Sequence, residues 1–149
     1  MIDQFKDDYR FLSNFWVLDN PIEIEGFVFD SSEAAYQAMK TLDPIARGKF
    51  QELTPSESKG FGKTLDMRKD WEEVKIGIME NIVRQKLDKN PELAQKLIET
   101  YPQQLVEGNW WGDTFWGVDI KNHSGQNHLG EILMKVRKEL MQEKEQYSG

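Results

Sequence analysis

Three side chains on one short stretch carry the chemistry first visible in this sequence. Within SSEAAYQAMK (31–40), Glu33, Gln37 and Lys40 stand four and three residues apart. On a helix that spacing sets a carboxylate, an amide and an amine in one stripe, opposite Ala35, Ala38, Met39 and Leu42. Such a carboxylate stabilises a developing cation or moves a proton, and a lysine amine freed of its proton attacks an electrophilic carbon and forms an imine. The imine route needs a lowered amine pKa, which burial supplies. The same spacing fits a plain solvated face, with Glu33 as capping-box partner of Asp30 and Lys40 complementing the helix dipole. Spacing alone favours that plainer reading.

A second concentration is GNWWGDTFWGVD (108–119), which gathers three of the five tryptophans with Asp113 and Asp119 among glycines. Its indoles either plug the end of a sheet or form a stacking platform for a base, and Asp113 is either a turn residue or an acid. In FLSNF (11–15), Asn14 beside Phe15 reads as a turn residue or a ligand amide. The run GFGKTLDMRK (60–69) brings Lys63, Arg68 and Lys69 close enough to hold one phosphate. His123 and His128 are too few and too loosely placed for a metal site. With no cysteine in the chain, thiol nucleophiles and Cys-ligated centres are excluded as well. Neither a metal nor a cofactor is expected.

The elements that must position these residues follow from pattern. Residues 5 to 29, with aromatic and β-branched side chains and period-two stretches at Ile22, Ile24 and Phe27 to Phe29 around breaks at Pro21 and Gly26, predict short strands at the N-terminus. The alanine-rich stretch predicts a helix over about 31–42, opened by Asp30 and Glu33 at capping-box spacing. Asp43-Pro44 and Thr54-Pro55 each set an N-cap residue before a first-turn proline, predicting two shorter helices, with Gly60 and Gly62 then breaking the chain. Trp71, Val74, Ile78 and Ile82 predict an amphipathic helix from Asp70 to about Leu87, and Asn90-Pro91 opens another, packed through Leu93 and Leu97. After short strands and turns over 104–118 and a loop over 121–126, Asn127 caps a last helix carrying Leu129, Ile132, Leu133, Val136 and Leu140. The tail from about 142 is expected to fray. With no repeat or linker, the expectation is one α+β domain, mostly helical with a small β-sheet.

The 149 residues suit one domain with a real core. At 38% hydrophobic and 30% charged the chain should fold. A net charge of -7 gives no general attraction to a polyanion, which favours a small ligand over a long nucleic acid. The start, MIDQFKDDYRFL, has no signal-peptide pattern and no stretch is long enough to span a bilayer, so the expected location is cytoplasmic, with no membrane partner.

Together the motifs resemble one family, the NADAR superfamily, and within it the YbiA-type riboflavin-intermediate N-glycosidases. The resemblance rests on FLSNF (11–15), SSEAAYQAMK (31–40), MRKDW (67–71), LVEGNWWGDTFWG (105–117) and NHLGEILMKVR (127–137), five blocks in order. It implies an N-glycosidase acting at the anomeric carbon of a ribose phosphate. By position it carries a functional glutamate onto Glu33, a lysine onto Lys40, the tryptophan and aspartate motif onto Trp116 and Asp113, and an asparagine onto Asn14. WWGDTFWG holds an extra tryptophan, so Trp111 and Trp116 both stand as indole partners. Phe15, Tyr36, Gln37, Lys63 and Arg68 complete the expected substrate-binding set, beside Glu33, Lys40 and Asp113 as catalytic residues.

Cleavage at C1′ builds oxocarbenium character that Glu33 or Asp113 would stabilise. Lys40 is either the nucleophile or a charge anchor. The leading substrate expectation is a phosphorylated ribosylamino-pyrimidine intermediate of riboflavin synthesis. Two alternatives stay open: removal of ADP-ribose from guanine in a nucleotide or DNA, and a non-catalytic ADP-ribose or nucleotide-binding module. The oligomeric state is not legible.

Overall fold

A computed structural model describes residues 1–148. The fold is α+β, with six α-helices, two short 3-10 helices and two small sheets among the described residues. The chain forms two compact units, one spanning Asn14–Asn90, the other joining Met1–Ser13 to the chain from Pro91 onward. The first boundary falls inside the FLSNF motif, which is why no linker composition marks it.

In the Asn14–Asn90 unit, strands β1 (Val17–Ile24) and β2 (Phe27–Ser31) form an antiparallel hairpin, with Ile22 opposite Phe29 and Ile24 opposite Phe27. Its two-residue turn places Glu25 at φ 52° and Gly26 at φ 86°, the left-handed pair that matches the twist of the flanking strands. The register shifts between Val17 and Ile22, where Pro21 interrupts the ladder.

Against the hairpin packs α1 (Ser32–Met39), which also meets α3 (Pro55–Gly62) and α4 (Trp71–Lys89). Its N-cap is Ser31, whose Oγ accepts the Ala34 amide at 3.1 Å. Asp30 does not cap it, because the helix begins one residue later, directly after Ser31 at the end of β2. The helix ends at Met39, so Leu42, expected on its apolar face, lies beyond it and is exposed.

The two proline-led helices form as expected. Asp43 caps α2 (Pro44–Lys49), and Thr54 makes a full capping box with Glu57 at α3. Gly60 and Gly62 do not break the chain; both lie inside α3, whose capping box and packing outweigh glycine's low helix propensity. Asp70 precedes α4 but makes no side-chain cap, since its carboxylate is engaged by Arg68. Trp71 and Ile82 are buried as patterned, joined by Met79, Val83 and Leu87. Each such side chain is worth about 1.5–3 kcal/mol of burial. Lys86 sits among them at 2% exposure, and burial lowers its pKa to about 7. Asn90, fully buried, donates to the carbonyls of Lys86 and Asn20 and accepts the Asn20 amide, closing α4 onto β1.

In the other unit, a 3-10 helix occupies Asp7–Leu12, where the sequence suggested strand. Ile2 bridges Leu105 in parallel. Helix α5 (Pro91–Glu99) packs on α6 (His128–Ser148), which continues past the expected fraying point. Leu93, Leu97, Leu129, Ile132, Leu133 and Val136 supply its core. The two-residue strands β3 (Gly108–Asn109) and β4 (Val118–Asp119) pair in parallel. Asn127 reaches back from the start of α6 to the Leu105 carbonyl and the Glu107 amide instead of capping its own helix.

Candidate active site

Every side chain of α1 from Ser32 to Met39 is buried. The solvated-face reading of its polar stripe is therefore overturned: Glu33 is 8% and Gln37 4% exposed. Ala34, Ala35 and Ala38 make this possible, their small side chains letting α3 and α4 approach closely. Buried polar groups need partners, and Gln37 Nε2 donates to Glu33 Oε1 at 2.9 Å. The backbone is fixed at both ends of the stripe. The Glu33 amide donates to the Asn14 carbonyl at 2.9 Å, and the Lys40 carbonyl accepts the Arg68 amide at 2.7 Å.

Lys40, half-buried at the C-cap of α1, holds Nζ 5.3 Å from the centroid of the Tyr36 ring, which is itself packed on Trp71 at 5.1 Å. Burial lowers the Lys40 pKa below the ordinary lysine value. Glu33 opposes the shift, and Lys75, Lys59 and Lys63 add to it by repulsion. The result is an amine with an enlarged neutral fraction, set on the helix of a carboxylate and ringed by three further ammonium groups. Such a site suits attack on an electrophilic carbon of a substrate carrying negative charge.

Around it, Phe15 is partly exposed, with Lys59 Nζ 5.9 Å from its ring centroid. Asn14 points Nδ2 at Met79 Sδ, 3.7 Å away. Arg68 spends Nε and Nη2 on Asp70 at 2.6 and 3.0 Å, and that pairing raises its pKa. Its fork is thus largely committed within the protein, whereas Lys59 and Lys63 both act on Lys40 by repulsion. The sequence reading missed Lys59 and Lys75. Lys59 and Lys63 are four residues apart, a helical spacing hidden once the intervening glycines were taken as breaks.

The remaining predicted residues, Trp111, Asp113 and Trp116, belong to the other unit. Asp113 Oδ1 accepts the amides of Phe115 at 3.1 Å and Trp116 at 3.0 Å, so the carboxylate shapes the turn that carries the indole. Trp116 stands edge-on to Phe115 with centroids 4.8 Å apart, while Trp110 and Trp111 are exposed. The organiser of this loop is Asn109, fully buried and not singled out from sequence. Its Oδ1 accepts the Asp113 amide at 2.9 Å and its Nδ2 donates to the Asp113 carbonyl at 2.8 Å. A Cβ on Gly117 would stand 2.8 Å from that Nδ2, so glycine there is a packing requirement.

The NADAR domain family model matches residues 2–141. The chain belongs to the NADAR family. Among its relatives, N-glycosidase YbiA of Shigella flexneri is 36% identical over 141 residues, covering 93% of this chain and 86% of that one. A riboflavin biosynthesis protein of Vibrio vulnificus is 34% identical over 91% of this chain but only 37% of its own length. The NMR structure of the E. coli protein YbiA superposes with a TM-score of 0.81 at 34% identity, covering 97% of this chain and 89% of that one. The expectation of a NADAR enzyme of the N-glycosidase class holds. What this NADAR chain cleaves is a separate question.

Proposed function

We propose that this NADAR chain hydrolyses the N-glycosidic bond of a phosphorylated ribosylamino-pyrimidine, an intermediate of riboflavin synthesis. The observation that carries the proposal is the Lys40 amine, its proton affinity lowered by burial and by three neighbouring lysines, on the buried helix that holds Glu33. The naming of a Vibrio vulnificus relative as a riboflavin biosynthesis protein supports the choice of substrate, as does the net charge of -7, which disfavours a long polyanion.

In this reading the neutral Lys40 amine attacks C1′ and the C1′–N bond breaks, the leaving nitrogen taking up a proton. Glu33 stabilises the positive character that develops at the anomeric carbon. The adduct opens to an imine, and water cleaves it to release ribose phosphate and return the lysine. Lys63 and Lys59 hold the phosphate as point charges. Asp113, Trp111 and Trp116 stay candidates for the same reaction, to be tested by substitution.

The test is release of ribose 5-phosphate from the ribosylamino-pyrimidine phosphate, run beside release of ADP-ribose from ADP-ribosylated guanine, with wild type, Glu33→Gln and Lys40→Ala. Turnover of the first substrate, lost in both variants, is expected. Turnover of the second alone would replace the proposed substrate, and tight binding with no turnover, unchanged by Glu33→Gln, would make the chain a binding module. Borohydride added with substrate should leave a sugar-derived mass on Lys40, and absence of that mass would reduce Lys40 to a charge anchor.

A further inference from the structure

Gly62 sits in the last turn of α3 without a left-handed φ, so its backbone gives no reason for glycine, and helix propensity argues against it. The reason lies across the helix packing. A Cβ at Gly62 would overlap Gln37 Oε1 and stand 2.8 Å from Gln37 Cδ. Gln37 is 4% exposed, its Oε1 has no hydrogen-bond partner, and its Nε2 donates to Glu33 Oε1. A buried amide with one end unpaired is costly. The amide is tolerated in this orientation because the reverse would set its oxygen against the carboxylate.

We infer that Gly62 is a positioning residue: the space it leaves on α3 lets Gln37 adopt the one orientation that points its N–H at Glu33. The inference rests on the reading of Glu33 above as the carboxylate that acts on the sugar. A methyl group at Gly62 displaces the end of a flexible side chain, so the fold gives way cheaply while Glu33 loses the Gln37 N–H. The charges gathered at this end of α1 are Lys40 on the helix, Lys59 and Lys63 from α3 and its C-cap, and Lys75 from α4. Those four, together with Glu33 itself, are held constant in every variant of the test except the Glu33→Gln control.

The experiment is a double-mutant cycle on turnover of the ribosylamino-pyrimidine phosphate with Gly62→Ala, Gln37→Leu and the pair, beside Glu33→Gln. Gly62→Ala should lower kcat about tenfold with KM within about twofold. It should raise the titration midpoint of the Glu33 carboxyl, followed by carbon NMR of labelled glutamate, as Gln37→Leu should, because an N–H donor favours the ionised carboxylate. In the Gln37→Leu background the same change should cost nothing more. Multiplying effects, or wild-type turnover in Gly62→Ala, would overturn the inference. If Gly62→Ala does not fold, Gln37→Leu alone decides, an unmoved Glu33 carboxyl titration counting against it. Retained turnover in Glu33→Gln would instead sink the underlying reading of Glu33, a distinguishable result.

Discussion

The backbone carbonyl of Asn14 accepts the amide of Glu33 at 2.9 Å. First-turn amides have no partner inside their own helix, so the FLSNF motif supplies one at the residue that carries the carboxylate. At the other end the Arg68 amide holds the Lys40 carbonyl. Both bonds are made by backbone, so the half-buried Lys40 side chain at the C-cap can be exchanged without releasing the helix.

Lys40→Ala should therefore lower turnover at least about a hundredfold while shifting the thermal midpoint by no more than about 4 °C. In wild type, borohydride trapping at Lys40 should rise with pH and level off before surface lysines lose their protons, because burial and the neighbouring lysines lower its pKa. Lys75→Met removes one of those like charges, so the trapping curve should move to higher pH; a curve that stays in place would show that the Lys40 amine does not sense Lys75.

Asp113 invites a separation of roles. Asp113→Asn keeps an oxygen for the Phe115 and Trp116 amides, whereas Asp113→Ala orphans both. The alanine variant should lose about 1–2 kcal/mol of stability in urea denaturation and the asparagine variant much less. If the carboxylate acts in the reaction, Asp113→Asn should fold normally and turn over slowly. Wild-type turnover in Asp113→Asn would confine the residue to shaping the turn.

Asn109→Ala should be among the more damaging substitutions in the tryptophan loop. It strands both the amide and the carbonyl of Asp113 in a part-buried setting, at up to about 1–3 kcal/mol for each unsatisfied group. Urea denaturation checks the magnitude, and tryptophan fluorescence should report the loosened loop.

Lys86 makes stability depend on pH. Its folded pKa of about 7 lies below the ordinary lysine value of 10.5, so between those values the unfolded chain binds the extra proton and stability rises with pH. Below about 7 the folded protein carries the full cost of a buried charge. Relative to Lys86→Met, wild type should gain stability from pH 7 toward pH 10, as measured by urea denaturation; a difference flat in pH would mean the buried amine is charged throughout.

Much of the unit from Asn14 to Asn90 was legible because its signals are local. Asp43-Pro44 and Thr54-Pro55 opened helices where expected, and the alanine-rich stretch opened α1 one residue from the anticipated cap. Ser31, the last residue of β2, doubles as the cap, so Asp30 stands one position too early. The burial of Glu33 and Gln37 was not legible, because a polar stripe reads as solvated unless the elements covering it are known. Gly60 and Gly62 misled for a related reason: the second is dictated by a side chain on another helix. Asn109 left little signal because most of its partners are backbone groups of a loop, which any sequence would offer, with the Glu107 carboxylate the one side chain among them.

A helix with no exposed side chain from end to end is a place where change is expensive. Any exchange between Ser32 and Met39 alters interior volume or strands a polar atom, so the carboxylate-bearing segment is closed to gradual alteration. Variation enters more readily at positions that meet water, such as Phe15 or Trp111. The fold thereby separates the part of the protein that can drift from the part that must stay as it is.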